Sequence, residues 1–310
     1  MYNRTQSAYR KHLRRKRLIF TAAILVFIGL AGFASTRIAV KFREWTVKGR
    51  RELLRLWDSG DYDEVFNISQ AALDSHPMDY FLLTMHGFSA YQLGISQINS
   101  LSAEQYFDKC ISSLRQAMID KKSENDGRLY YVLGKAYSYK GENYADLTIK
   151  YLEKARELSD KTADIPEYLG MAYFAVGNYR SSVAAFSEAL GTSAEGPSGP
   201  LLLFIARAYT SLGEYDNARP YLQRCIEVSP DFRTVLEARL LLAEALKKKD
   251  DLEGAINQLQ EIIAETGDNA EAHYQLGELY ALQGNTTRAR AEWRLALRAD
   301  PAHAKARAKL

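Results

Sequence analysis

Cysteine is scarce in this chain: Cys110 and Cys225 are its only two thiols, far apart in sequence. There is no Cys-x-x-Cys pair and no Cys/His spacing of the zinc-ligand kind. The five histidines, His12, His76, His86, His273 and His303, are scattered without a His-Glu-x-x-His pattern. A phosphate-cradling glycine loop, a Gly-x-Ser-x-Gly elbow and paired carboxylates on a recognisable enzyme frame are all missing. An enzyme is therefore not expected, and neither is a bound metal or cofactor. Asn67-Ile68-Ser69 and Asn285-Thr286-Thr287 fit a glycosylation pattern, but the first falls in a predicted helix and the second in a predicted turn. Coincidence accounts for both.

Acid is nearly absent from one end. Residues 1 to 51 contain thirteen Lys/Arg and a single acid, Glu44, leaving 28 basic and 37 acidic residues for the remainder. A nucleic-acid binder spreads positive charge over its folded domain. Here the folded part is acidic, which makes DNA or RNA a poor partner. Charge of either sign is absent from Leu18 to Thr36, nineteen residues that follow the basic run Arg10 to Arg17. As a helix they rise about 28 Å, close to the hydrocarbon thickness of a bilayer. That reads as a single transmembrane anchor in preference to a cleaved export signal, for which Gly32-Phe33-Ala34 would offer the cleavage site. The excess of flanking Lys/Arg assigns residues 1–17 to the cytoplasm as a basic tail, with 37–45 a basic interfacial linker around Trp45. The expected location is then a bacterial inner membrane, with the rest of the chain periplasmic. The reverse topology stays open, because Arg37 to Arg51 is basic too.

What the chain has in abundance is self-similarity. Residues 270–301 carry Leu276-Gly277, Tyr280, Gly284, Ala289, Trp293, Ala296 and Pro301. The same spacing recurs at Ile205-Ala206, Tyr209, Gly213, Ala218, Leu222, Cys225 and Pro230, and at Leu169-Gly170, Tyr173, Gly177, Phe186 and Ala189. Each set describes a helical hairpin. The small residue of the first helix admits a neighbour closely, and the turn glycine takes a positive φ. The second helix presents a small, a bulky and a small residue before a proline stops it. Neither helix buries its stripe alone, so the hairpins must stack.

This pattern resembles the tetratricopeptide repeat family, whose unit of about 34 residues has these positions as its signature. The resemblance implies an all-α, right-handed superhelical solenoid of about seven hairpins over 46–303, preceded by the membrane helix and followed by a short tail, 304–310. Units are expected to start near 46, 80, 127, 163, 199, 236 and 270. The first has a weak first helix. The second has His86 where leucine is usual and about eleven extra residues around 95–105, which either lengthen both helices or form a loop. Pro220 lies inside a second helix, where it removes a backbone donor. Residues 191–200 are rich in Gly, Ser and Pro and read as a hinge. Both cysteines fall at small-residue positions of second helices, as buried structural thiols. His86 and His273 fall on core-facing positions.

In the family, positions 2, 5 and 9 of successive first helices face a ligand groove. Carried over, these are Arg128, Tyr131 and Lys135; Asp164, Glu167 and Met171; Leu203 and Arg207; Glu237 and Glu244; and Glu271, Tyr274 and Glu278. No unit pairs the lysine and asparagine of the carboxylate clamp, so the tails of cytosolic chaperones are not the expected ligand. The function implied is a non-enzymatic, membrane-anchored scaffold that holds protein partners, as a peptide or helix in the groove, during envelope assembly. Two alternatives remain: a cytoplasmic-facing adaptor that tethers an enzyme or protease, and an oligomerising structural component resembling periplasmic flagellar collar proteins. A second copy of the chain is thus a further candidate partner.

Overall fold

The computed structural model describes residues 49–158, 162–192 and 196–310. All regular structure among them is helical, and the chain divides into two compact units at the Pro77–Met78 junction. In the first unit, α1 (described over 49–58) and α2 (Tyr62–Leu73) are joined by a turn in which Gly60 adopts φ +78°. Asp61 caps α2 by accepting from the Glu64 amide at 3.2 Å. Leu53, Val65, Phe66 and Ala72 form the buried stripe, and the Trp57 and Tyr62 rings meet at the turn, 5.0 Å apart.

The second unit holds six further hairpins. They are α3 (Tyr80–Ser96) with α4 (Ser100–Ala117), α5 (Gly127–Tyr139) with α6 (Ala145–Glu157), and α7 (Ile165–Ala175) with α8 (Tyr179–Thr192). Then come α9 (Gly199–Ser211) with α10 (Tyr215–Val228), α11 (Phe232–Lys248) with α12 (Leu252–Thr266), and α13 (Ala270–Leu282) with α14 (Thr286–Ala299). A single-turn helix, α15 (Ala304–Arg307), follows. From α4 to α14 each helix packs on the one before and the one after, and the first helices of adjacent hairpins also touch from α3 through α11.

Packing inside several of the hairpins follows from one small-to-large contact. A Cβ placed on Gly170 would lie 2.5 Å from the buried ring of Phe186, so only glycine lets α7 settle on α8. Gly134 stands in the same relation to Leu152, and Gly277 to Trp293. Between hairpins the apolar stripes merge. One continuous core runs from Leu202 and Leu222 through Leu242 and Leu259 to Leu276 and Trp293. Side-chain caps begin most helices, with Asp79, Asn99, Asp126, Ser198, Asp231, Asp251 and Asn269 each accepting from an amide within the first turn. Asn285 caps α14 in this way, and Asn67 lies within α2.

Several expectations take definite form. The extra residues near 95–105 lengthen both helices of their hairpin, to 17 and 18 residues, across a three-residue connection capped by Asn99. Helix α11 begins at Phe232, a turn earlier than the expected start near 236, because Asp231 accepts from the Thr234 amide at 2.8 Å and sets the helix there. The segment after Pro301 is no loose tail: His303 Nδ1 accepts from the Ala306 amide and starts α15. Helix α10 runs through Pro220. Both thiols are free and buried, and Cys225 donates to the Gly199 carbonyl at 3.2 Å.

The expected location is corrected. Among the described residues no helix is long and apolar enough to cross a membrane. The stretches on which the inner-membrane and periplasmic assignment rested, 1–17, 18–36 and 37–45, lie outside the described residues.

Candidate functional site

The residues expected to face a groove are arranged in pairs that bridge one first helix to the next. Lys135 of α5 is 5% exposed, and its ammonium donates to Asp164 at 2.5 Å, just ahead of α7. The Tyr131 hydroxyl donates to both oxygens of the same carboxylate at 3.1 Å. Arg207 of α9 reaches Glu237 of α11, with Nε donating at 2.7 Å. On α13, Glu271 meets His303 at 3.1 Å and Glu278 meets Lys309 at 3.0 Å. The Tyr274 ring lies 5.2 Å from the His303 ring and 5.8 Å from the Lys305 ammonium. Residues 303–309 thus cover α13 as the first helix of another hairpin would.

These contacts revise the roles of individual residues. Lys135 is committed to Asp164 and is not a free cation at the surface. Leu203 is 6% exposed and belongs to the core, so its assignment to a ligand-facing position is corrected. It points inward because α9 packs on α10 and α11 together. Arg128 is exposed, with its guanidinium 4.8 Å from the Phe88 ring centre. Glu167 and Glu244 are half-buried.

What the structure brings together instead is an aromatic stripe. The Tyr91 ring of α3 lies 6.2 Å from Tyr139 of α5, and Tyr139 lies 6.3 Å from Tyr168 of α7. The Tyr139 and Tyr168 hydroxyls approach to 3.3 Å, and the Lys135 ammonium sits 3.7 Å from the Tyr168 ring centre. This is a short cation–π contact. Burial first, and then the Tyr168 hydrogen bond, hold the Tyr139 phenol above its ordinary pKa, so it stays neutral and able to donate. Tyr139 is nonetheless 47% exposed, and it presents the stripe to solvent. At the end of α5, Lys140 reaches Glu104 and Asp108 of α4, both at 2.8 Å. Hydrogen bonds to these two carboxylates raise the Lys140 pKa above the usual ammonium range.

Beside the stripe is a pocket of about 240 Å³. Its walls are Ala145 and Thr148 of α6, Met171 and Phe174 of α7, and Phe204 of α9, with Arg207 and Glu142 among the polar residues that line it. Of these, Met171 and Arg207 were legible as first-helix positions. Tyr139, Tyr168 and Thr148 were not, since their roles depend on which neighbouring helix they meet.

Family models described as tetratricopeptide repeat match residues 168–232, 210–273 and 270–303. The second half of the chain therefore carries tetratricopeptide repeats. Among curated proteins, the chain is 22% identical over 230 residues to anaphase-promoting complex subunit CDC16 of Saccharomyces cerevisiae, covering 73% of this chain and 25% of that protein. It is 27% identical over 180 residues to outer dynein arm-docking complex subunit 4 of Bos taurus, covering 54% of this chain and 26% of that protein. The chain thus spans about a quarter of the length of these curated relatives.

Among solved structures, the C-terminal part of a TPR repeat-containing protein from Cytophaga hutchinsonii superposes with a TM-score of 0.60 at 16% identity, covering 84% of this chain and 99% of that one. YrrB, whose structure is described as that of a TPR protein with an unusual peptide-binding site, gives 0.51 at 23% identity, covering 64% and 97%. These likenesses establish the fold: an all-helical, TPR-solenoid-like stack.

Proposed function

We propose that this chain is a non-enzymatic scaffold that holds a protein partner through an extended segment laid across the first helices α3, α5 and α7. The observation that carries the reading is the exposed Tyr139 ring beside the half-buried Tyr168, with the buried Tyr91 packed against the first and the buried Lys135 ammonium against the second. Aromatic rings supply large contact area at small conformational cost, and a phenol tip adds a hydrogen bond. The bridging ion pairs serve the same end. Lys135–Asp164 and Arg207–Glu237 lock adjacent first helices in register, so the surface is formed before a partner arrives. Two curated relatives are subunits of multiprotein complexes by name, and a structural neighbour is described as binding peptide, which agrees with this reading.

A photo-crosslinking residue placed at Tyr139 or Arg128 tests it against the same residue at Arg224 or Glu227, exposed on the second helix α10. Partner crosslinks are expected from the first pair of positions only. Equal crosslinking from α10 would place the partner elsewhere.

A further inference from the structure

The second hairpin spends its extra length at one end. A Cβ on Gly87 of α3 would meet Leu114 of α4, 27 positions away, while the matching pairs Gly170–Phe186 and Gly277–Trp293 are 16 apart. The additional residues therefore lie on the turn side of that contact and carry the α3–α4 connection outward. Gly94 still seats on the Phe107 ring, so the two helices stay packed up to the tip.

At the tip, Ile95, Ile98 and Leu101 are 45%, 105% and 64% exposed. The polar side chains between them are spent internally. Ser96 Oγ and Gln97 Nε2 donate to the Leu93 carbonyl at 2.8 and 3.2 Å, and Asn99 accepts from the Leu101 amide at 2.9 Å. From Tyr80 to Ala103 the chain has no Asp, Glu, Lys or Arg. The next charges along α4, Glu104 and Asp108, are both held by Lys140. What the tip presents is an ordered, uncharged and mainly apolar knob.

A two-fold contact sets the same surface on both sides, so a patch that carries charge of one sign repels its own copy. After residue 51 the chain has 28 basic and 37 acidic residues, and over such a surface two copies repel. The tip carries nothing that repels, and apolar side chains are complementary to themselves. Three of them make a patch of a few hundred Å², at most about half of the ~800 Å² per partner of stable complexes, which fits a weak, concentration-dependent dimer.

We propose that the α3–α4 tip is a self-association surface, on which Ile95, Ile98 and Leu101 of one copy pack against the same residues of a second copy. The proposal does not rest on the scaffold reading above.

The test uses the full chain with a spin label at Gln105→Cys, exposed on α4, and in a second sample at Arg224→Cys, exposed on α10. Cys110 and Cys225 are fully buried and escape labelling. Residue 105 lies seven positions from Ile98, so a tip-to-tip dimer sets its two copies roughly 20 Å apart, plus the label tethers. Pulsed EPR between about 10 µM and about 1 mM chain should show that inter-chain distance filling with concentration at 105 and absent at 224. Ile98→Asp, and separately Leu101→Asp, should raise the dimer Kd by about tenfold or more, with the melting temperature of the dilute chain unchanged because both side chains are exposed. Ile98→Leu should keep the dimer, and added salt should not weaken it, since the contact has no ion pair.

No inter-chain distance at 105 up to the highest concentration would give the tip to a different apolar partner and overturn the proposal. Self-association that survives both aspartate substitutions, or that dissolves in salt, would overturn it as well, the second outcome being that of basic residues 1–51 of one copy on the acidic surface of another.

Discussion

Lowering the pH from 7 to 4 should loosen the second hairpin through one residue, His86. Its side chain is buried in α3, 3% exposed, and Nδ1 lies 2.7 Å from the Ser113 hydroxyl of α4. Burial, with a smaller contribution from the charge of Lys109, depresses its pKa from the ordinary 6.5 to about 4. In the unfolded chain the ring takes up a proton near pH 6.5, while in the fold it resists until about pH 4. Between those values the unfolded state binds more protons, so stability rises with pH across the window. It is fully present above 6.5 and is lost as pH falls toward 4. At about 1.4 kcal/mol per pKa unit, the loss is about 3 kcal/mol at the acid end. Hydrogen exchange of the α3 and α4 amides at pH 7, 6, 5 and 4.5 reads this directly as local opening. The control is His86→Leu with Ser113→Ala, which removes both partners together and leaves no orphaned hydroxyl. The wild-type opening free energy should fall with pH relative to the control. Parallel pH dependences in the two proteins would refute the assignment.

Three further substitutions probe the stacking. Gly170→Ala gains helix propensity but drives a methyl into Phe186, and should cost about 1–3 kcal/mol in urea unfolding; a neutral result would mean that α7 and α8 are not in close contact. Asp164→Ala strands the Lys135 ammonium and the Tyr131 hydroxyl. A fully buried pair would cost more, but the aspartate side chain is 35% exposed, so about 2 kcal/mol is expected, with Lys135→Met milder than Asp164→Ala in the same assay. Asp250 holds φ 60° at the turn where other hairpins use glycine, and Asp250→Gly should raise stability by up to about 1 kcal/mol in thermal unfolding; a decrease would show that the aspartate side chain stabilises the turn.

The repeat was legible because its strongest signals are local. Gly170 with Phe186, and Gly277 with Trp293, lie within one hairpin, and each pair follows from a single spacing. The ion-pair ladder was not legible, since it joins residues 29 and 30 positions apart, Lys135 to Asp164 and Arg207 to Glu237. Such partners are settled by how one hairpin seats on the next. Assigning groove residues by position treated each first helix as if it stood alone. For Leu203 that failed, because α9 is flanked on both sides and the leucine is drawn into the core. For Tyr139 and Tyr168 it missed the stripe, which lies at the junction of α5 and α7. The pocket between α6, α7 and α9 was hidden for the same reason, being built from helices that belong to three hairpins. The start of α11 turned on one aspartate, Asp231, whose capping role outweighs the regular repeat length.

The central claim is that binding resides on the first-helix face of α3, α5 and α7. The most direct measurement is the affinity of the crosslinked partner segment for the native chain, for Tyr139→Ala and for Arg224→Ala. A loss of about tenfold or more at Tyr139, with less than about twofold at Arg224, is expected for a surface whose exposed ring is an anchor. Unchanged affinity at Tyr139 together with loss at Arg224 would contradict the account and move the binding surface to the second helices.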